Sequence, residues 1–160
     1  MVYIGAIALV CATFMIWREY SSYLGGELAV CRSFLAAVCS YREGMRCYLS
    51  GPAEWAGEYE DEHLEECGFL VSLREGAGFK SSYAVCRDKL CSSDELDAIL
   101  TALFERIGDG YLDAELEIIS AAIEKLTELE SRLNGDLPRK RKAVGAMLGA
   151  FVLGIVILII

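Results

Sequence analysis

The sequence is poor in the residues from which most catalytic and metal sites are built. It has one histidine, His63, and although it has seven cysteines, no two of them form a C-x-x-C pair. A nucleophilic thiol or hydroxyl would therefore have only one imidazole base available. Residues 76–81 come closest to a phosphate-binding loop, but Phe79 stands where that motif needs glycine and no strand precedes it. We expect a protein that is not an enzyme and binds no cofactor.

One alternative of a different class rests on the single histidine. His63 and Cys67 are four residues apart, so on a helix both would face the same side. With Glu62 or Glu66 as a third ligand they could hold zinc, which would make the chain a small membrane-bound zinc or thiol enzyme. We expect no metal, because such a pair in an acidic helix is more often one surface residue and one core residue.

The sequence is also short of proline and of strand patterns. Its prolines are Pro52 and Pro138 only, and no long stretch alternates apolar and polar residues as a half-buried strand does. Apolar residues recur at helical spacing in four stretches, at 27–49, 83–90, 96–107 and 111–133. Breaks at 50–52, 76–78 and 108–110, and a capping box at 92–95, separate the helices. The pattern predicts an all-α bundle of about five to six helices.

The last of these helices has the apolar spacing of a coiled coil. Its apolar positions are Leu112, Leu116, Ile119, Ile123, Leu126 and Leu133. Steps of four and three residues place such positions along one seam. We predict that Leu116, Ile119 and Ile123 lie in the core, and that Gly135 and Pro138 end or kink the helix.

Charge is missing from both ends of the chain. Residues 2–17 and 143–160 are uncharged runs of sixteen and eighteen residues, and helices of those lengths would cover roughly 24 and 27 Å. We predict an N-terminal transmembrane helix in residues 1–17 and a C-terminal one in residues 143–160, since the bilayer core is about 30 Å thick. A cleaved signal peptide competes for the first run, although no cationic side chain precedes Arg18. A buried core helix competes for the second.

Both uncharged runs have cations on the side that faces the middle of the chain. The predicted membrane-orienting residues are Arg18, Arg139, Lys140, Arg141 and Lys142. Because Lys and Arg concentrate on the cytoplasmic side of membrane spans, we expect a two-span protein of the cell membrane, in contact with lipid, whose central domain of residues 18–142 is cytoplasmic. Its cysteines would then be free thiols.

The central segment is strongly acidic. Residues 19–137 hold all 24 acidic residues and 10 of the 15 basic ones, a net charge of −14. Such a segment repels phosphate, so we expect no nucleic acid partner. It could face a basic protein partner, or the acids could simply form a solvated surface. In the C-terminal run, Gly145 and Gly149 would allow close helix packing in the membrane, either on the first span or on another copy of the chain.

The order of these features carries a resemblance to a known family. The features are a short N-terminal span, residues 32–37 (Arg-Ser-Phe-Leu-Ala-Ala), an acidic helical middle, a Glu-rich last helix and residues 137–142 (Leu-Pro-Arg-Lys-Arg-Lys) before a terminal span with Gly145 and Gly149. This arrangement resembles stage III sporulation protein AB of endospore-forming bacteria. That family is in turn similar to a cytoplasmic repeat of the F-type platform protein of type II secretion and type IV pilus machines.

The resemblance implies a non-enzymatic membrane platform or adaptor in the mother-cell to forespore complex. Its partners would be an ATPase of the stage III AA kind and other subunits of that complex. A platform subunit of a secretion or pilus machine outside sporulation is the alternative. This chain departs from the family where Gly110 and Tyr111 replace the usual Ser-Asp, and where Glu115 replaces a Gln.

The expected ATPase site is the turn before the last helix. A helix over residues 111–133 is roughly 34 Å long, which would place its start far from the membrane end. The predicted partner-binding residues are Glu105, Arg106, Asp109, Asp113 and Glu115. The turn could instead be an ordinary helix connection in which Asp109 only caps a helix, and the acidic residues 58–66 are the competing surface.

Overall fold

A computed structural model describes residues 2–48, 51–90, 93–108 and 111–159. Over these residues the chain is helical and has no strand, which confirms the all-α prediction. The helices are α1 (Val2–Tyr48), α2 (Pro52–Glu58), α3 (Glu62–Glu66), α4 (Phe69–Arg74), α5 (Phe79–Cys86), α6 (Asp94–Phe104) and α7 (Leu112–Ile159), with a 3-10 turn at Arg87–Lys89 after α5.

The chain divides into two compact units. Unit 1 comprises Met1–Gly26 and Arg132–Ile160, and unit 2 comprises Glu27–Ser131. Helix α7 does not end at Gly135 or Pro138 as predicted, because both residues lie within its helical range. In the same way α1 continues through the two glycines at 25 and 26. Glycine costs about 1 kcal/mol and proline about 3 kcal/mol in a helix interior, and neither cost ends α1 or α7 at these residues.

Among the helices that the structure describes, none is long and apolar enough to cross a membrane. The predicted transmembrane helices at residues 1–17 and 143–160, and the two-span membrane localisation that depended on them, are therefore wrong. Runs of sixteen and eighteen uncharged residues fall short of the about 20 apolar residues that a span needs. The second run is further diluted by Gly145, Gly149 and Gly154.

The helix boundaries in unit 2 follow local capping chemistry. Helix α2 begins with Pro52 at its first position, where the missing N–H costs nothing. Asp61 caps α3 by accepting a hydrogen bond from the Leu64 N–H at 3.0 Å. Ser93 caps α6 by accepting from the Leu96 N–H at 3.4 Å. The start of α6 was predicted from a capping box at 92–95, in which Ser92 lies outside the described residues.

The core of unit 2 is an aromatic cluster arranged around Phe34 of α1. Phe34 is fully buried, and its ring centroid lies 5.3 Å from that of Phe69, 6.0 Å from that of Tyr83 and 6.0 Å from that of Phe104. Those rings belong to α4, α5 and α6. The interplanar angles to Phe69 and Tyr83 are 72° and 81°, the edge-to-face arrangement that aromatic pairs prefer. One side chain of α1 thus organises three other helices.

The buried face of α7 in unit 2 repeats every seven residues, as predicted, but in a different phase. Its buried residues are Glu115, Ile119, Ala122, Leu126 and Leu129. Only Ile119 and Leu126 belong to the predicted seam, whereas Leu116 and Ile123 are half-buried and Leu112 is 38% exposed. This buried face lies against α1, whose Cys31 thiol donates to the Leu126 carbonyl at 3.7 Å. Apolar spacing within α7 does not encode which of its sides meets α1.

Polar contacts join the short helices of unit 2. The Arg74 guanidinium of α4 donates to the Ala56 carbonyl at 2.7 Å and to the Tyr59 carbonyl at 3.0 Å, and it pairs with Glu65 at 2.7 Å. These bonds satisfy backbone carbonyls at the end of α2, which would otherwise lack helical partners. Arg74 therefore ties α2 and α3 to α4.

The observed phase of α7 predicts a difference between two substitutions of the same kind. Leu129→Ala should lower the free energy of unfolding by about 2–5 kcal/mol, because it leaves a cavity at a buried site. Leu112→Ala should lower it by less, because Leu112 is 38% exposed and its truncation leaves no enclosed cavity. Urea unfolding followed by circular dichroism measures both. If Leu112→Ala lowered the free energy of unfolding more than Leu129→Ala did, the seam predicted from the sequence would be the buried face of α7.

Candidate partner-docking site

The connection between α6 and α7 is held in shape by one buried carboxylate. Gly108 has a φ of 108°, a left-handed conformation that favours glycine. Its N–H donates a 2.9 Å hydrogen bond to Oε1 of Glu115, whose side chain is only 8% exposed. Burial, and to a smaller extent the negative charge of Glu115, raise the pKa of Tyr41 in α1 to about 12. Glu115 thus lies between the connection and α1.

The structure separates the predicted partner-binding residues into two groups. Glu105, Arg106 and Asp113 are exposed beside the connection, as a docking role requires. Glu115 is buried and bonded to the backbone of Gly108, so it supports the connection and does not face a partner. Asp109 lies outside the described residues. The sequence did not reveal the burial of Glu115, because an acidic residue in the first turn of a helix is usually solvated.

Two apolar residues at the same connection are exposed and were not predicted as partner residues. Tyr111 is 90% exposed and Leu112 is 38% exposed. They lie between the exposed charges of the α6 end and the first turn of α7. We call the five residues Glu105, Arg106, Tyr111, Leu112 and Asp113 the tip surface. A signal for Tyr111 was present in the sequence, since an aromatic residue directly after a Gly-Asp-Gly turn has few neighbours against which to pack.

One ion pair links the tip surface to α5. The ammonium of Lys80 lies 3.7 Å from a carboxylate oxygen of Glu105, and the two side chains are 72% and 53% exposed. An ion pair in water at this exposure contributes about 0–1 kcal/mol to stability. Its charges therefore remain available to a binding partner.

The geometry does not bring His63 and Cys67 together as zinc ligands. His63 of α3 is exposed, whereas Cys67 at the end of the same helix is 6% exposed, so one side chain faces solvent and the other the core. Within the described ranges, no three His, Cys, Asp or Glu side chains are close enough to hold a metal ion. A third ligand from Glu62 or Glu66, both exposed, is therefore not in place.

In unit 2 a side-chain hydrogen bond between Cys67 and Cys86 affects the pKa of both thiols. This contact lowers the pKa of Cys67, because the Cys86 thiol can donate to a Cys67 thiolate, and it raises the pKa of Cys86. The Phe69 N–H and the Lys89 ammonium also lower the pKa of Cys67. Cys67 is therefore the more acidic thiol of the pair.

Unit 1 contains the predicted packing glycines. A side chain added at Gly145 would lie 3.7 Å from Nε1 of Trp17, whereas nothing lies within 4 Å of one added at Gly149. Of the two predicted packing glycines, Gly145 therefore marks a close approach between the two helical segments and Gly149 does not. Next to it is an open groove of about 470 Å³, which is lined by Thr13, Phe14, Trp17, Gly145, Leu148, Gly149 and Leu153.

The predicted membrane-orienting cations are also in unit 1. Arg18, Arg139, Lys140, Arg141 and Lys142 are all exposed. Arg141 donates a 3.1 Å hydrogen bond to the carbonyl of Ser21. Ser21 lies inside α1, so this bond does not cap the end of a helix. The orienting role presupposed membrane spans, which the described helices do not provide.

No family model, curated protein or solved structure matches this chain. The resemblance to stage III sporulation protein AB therefore stays a prediction from the sequence. The observations that bear on function are the exposed tip surface, its buried support at Glu115 and the open groove of unit 1.

The support role of Glu115 predicts a loss of stability on its removal. Glu115→Ala should lower the free energy of unfolding by about 1–3 kcal/mol, because the Gly108 N–H loses its acceptor. Glu117→Ala is the matched control: Glu117 is an exposed acid on the same helix and should change stability by no more than about 0.5 kcal/mol. Thermal unfolding of the full chain tests both. Equal stability of the two variants would show that the buried carboxylate supports nothing.

Proposed function

We propose that this chain is a non-enzymatic adaptor or platform subunit that docks an ATPase through its tip surface. The class comes from the resemblance to stage III sporulation protein AB, and the partner would be an ATPase of the stage III AA kind in the mother-cell to forespore complex. The observation that carries the proposal is Tyr111, which is 90% exposed and is close in sequence to the exposed charged residues Glu105, Arg106 and Asp113.

The composition of the tip surface suits a protein interface. Tyrosine is enriched among the residues that supply most of the binding energy in interfaces, where charged residues around it exclude water and set orientation. Tyr111 loses few rotamers on binding because it has only two side-chain torsions. The bond from the Gly108 N–H to Glu115 holds the connection before binding, which lowers the ordering cost.

The acidic surface of α2 and α3 is the competing docking site. Glu58, Glu62 and Glu66 are exposed there, and their charge would attract a basic partner. Glu65 of the same surface is engaged by Arg74 at 2.7 Å. We favour the tip surface because it combines exposed charge with an exposed aromatic residue. The same surface would serve if the chain belonged to a type II secretion or type IV pilus machine, which would differ only in the ATPase that binds.

Binding of the full chain to a stage III AA-type ATPase tests the proposal. Tyr111→Ala and Asp113→Lys should each weaken binding about tenfold or more, the effect of removing a residue worth at least about 1.4 kcal/mol. The effect of Asp113→Lys should be larger at low salt, because screening is weaker there. Biolayer interferometry at two salt concentrations measures both variants, and circular dichroism checks that each is folded.

Glu124→Lys provides the matched control. Glu124 is exposed on α7 and carries the same charge as Asp113, but it lies three turns further along the helix, so its reversal should leave binding unchanged. The proposal would be overturned if both tip variants bound like the unaltered chain while Glu58→Lys or Glu62→Lys abolished binding. Binding of a pilus or secretion ATPase in place of the sporulation ATPase would select the other machine.

A further inference from the structure

The open groove of unit 1 combines small residues on one helix with an exposed aromatic ring on the other. Gly145, Gly149 and Leu153 line it at steps of four residues, so they share one face of α7. Phe14 lines it from α1 and is 61% exposed. A Cβ added at Gly149 would meet no atom of the described chain within 4 Å. The groove therefore has a depression at Gly149 and a projection at Phe14.

The two helical segments that form the groove run antiparallel. A Cβ added at Gly145 would lie 3.7 Å from Nε1 of Trp17. The guanidinium of Arg141, one turn before Gly145 on α7, bonds to the carbonyl of Ser21, one turn after Trp17 on α1. Residue numbers therefore rise along α1 where they fall along α7, and Trp17 is opposite Gly145.

This alignment places the depression and the projection at the same height along the two helices. Phe14 is about one turn before Trp17 on α1, and Gly149 is about one turn after Gly145 on α7. A two-fold axis through this height would set Phe14 of one copy against Gly149 of another, and the reverse contact would form at the same time. A symmetric dimer interface requires a surface that is complementary to itself in this way.

The apolar surface of unit 1 is large enough for a stable interface. Its large apolar side chains that are 59–77% exposed are Phe14, Met15, Ile16, Met147, Phe151 and Leu153. Side chains of this size expose on the order of 100 Å² each at such fractions, so the set approaches the about 800 Å² that each partner buries in a stable interface. A pocket for a small molecule encloses most of its ligand, whereas this open groove suits a helix.

We propose that a second copy of this chain covers the groove, so that the protein is a two-fold symmetric dimer joined through unit 1. The α1 segment of each copy packs antiparallel to the α1 segment of the other and lies across its α7 segment. Phe14 of each copy enters the groove of the other copy at Gly149. This inference does not depend on the proposed docking function, which uses the tip surface of unit 2.

The exposed cations of unit 1 favour this antiparallel arrangement. Arg18 and residues 139–142 lie toward the same end of the groove, beyond Trp17 and Gly145. Arg141 is eight residues from Gly149, or about 12 Å along the helix, so the cation groups of the two copies would be about 24 Å apart along the helices. That separation exceeds the Debye length of about 8 Å at physiological ionic strength. A parallel pair would instead bring the two groups together.

Sedimentation equilibrium of the full chain without detergent tests the dimer. We expect the mass of two chains of 17.6 kDa. Gly149→Leu should raise the dissociation constant about tenfold or more, because the new side chain fills the depression that receives Phe14. It should leave the single chain folded by circular dichroism, since a Cβ at that position meets open space. Gly154→Leu is the matched control: a Cβ there also meets nothing within 4 Å, but the residue does not line the groove.

A double variant tests the contact between Phe14 and Gly149 directly. Phe14→Ala should weaken dimerisation about tenfold or more, whereas Met15→Ala should not, because Met15 is 69% exposed but does not line the groove. Phe14→Ala combined with Gly149→Leu should dimerise more tightly than either single variant, because the new leucine occupies the space that the lost ring had filled. Such a departure from additivity is expected only of residues in contact.

Three results would overturn the proposal. The first is a chain that sediments as one copy at every concentration; if that chain then bound phosphatidylglycerol vesicles, lipid would be the occupant of the groove. The second is association that Gly149→Leu and Gly154→Leu weaken equally, because the groove would then have no special part in it. The third is a double variant that dimerises more weakly than both single variants, since Phe14 and Gly149 would then act separately.

Discussion

The structure of unit 2 depends on the burial of one aromatic ring, that of Phe34. The ring centroids of Phe69 on α4, Tyr83 on α5 and Phe104 on α6 lie 5.3–6.0 Å from the ring centroid of Phe34. Helices of five to eleven residues are marginal by themselves in water, so α2 to α6 need tertiary contacts to be stable. For α4, α5 and α6 the Phe34 cluster supplies those contacts from a single position on α1, whereas α2 contacts α1 through Trp55 and Tyr41, whose ring centroids are 5.4 Å apart. Phe79 and Phe104, which stack at 5.6 Å and 6°, extend the cluster and close it around α5 and α6.

Polar groups at the edge of this core set the relative positions of the helices. Asp97 of α6 accepts a 2.8 Å hydrogen bond from the Tyr83 hydroxyl and pairs with Arg87, which joins α5 to α6. Burial and the bond to Asp97 raise the pKa of Tyr83. Arg74 plays the same part for α2 and α4. The part-buried bonds, from the Tyr83 hydroxyl to Asp97 and from Arg74 to the Ala56 carbonyl, satisfy groups whose burial without a partner would cost about 1–3 kcal/mol.

The candidate docking surface of unit 2 lies beside this core. Gly108 donates its N–H to the buried carboxylate of Glu115, while Tyr111, just before α7, is 90% exposed. Cys67 and Cys86 are buried, and their helices α3 and α5 both pack on α4.

Local patterns in the sequence were sufficient for the helices and for part of the core. Pro52 and Ser93 mark helix starts by their own chemistry, and the heptad spacing identified Ile119 and Leu126 as fully buried. The same spacing is consistent with the burial of Leu129, which lies three residues after Leu126. The apolar spacing on α1 predicts a stripe of Leu28, Cys31, Leu35, Val38 and Met45, of which all but the half-buried Leu35 are buried.

Other features were decided only by the tertiary structure. A four-three spacing around Ile119 and Leu126 is compatible with either Ile123 or Ala122 on the buried side, and the position of α1 selected Ala122. The burial of Glu115 required a backbone N–H from Gly108, which no helical period encodes. The pairing of Cys67 with Cys86 joins residues of two helices. Periodicity reports which side of one helix is apolar, but a contact between helices depends on how they pack.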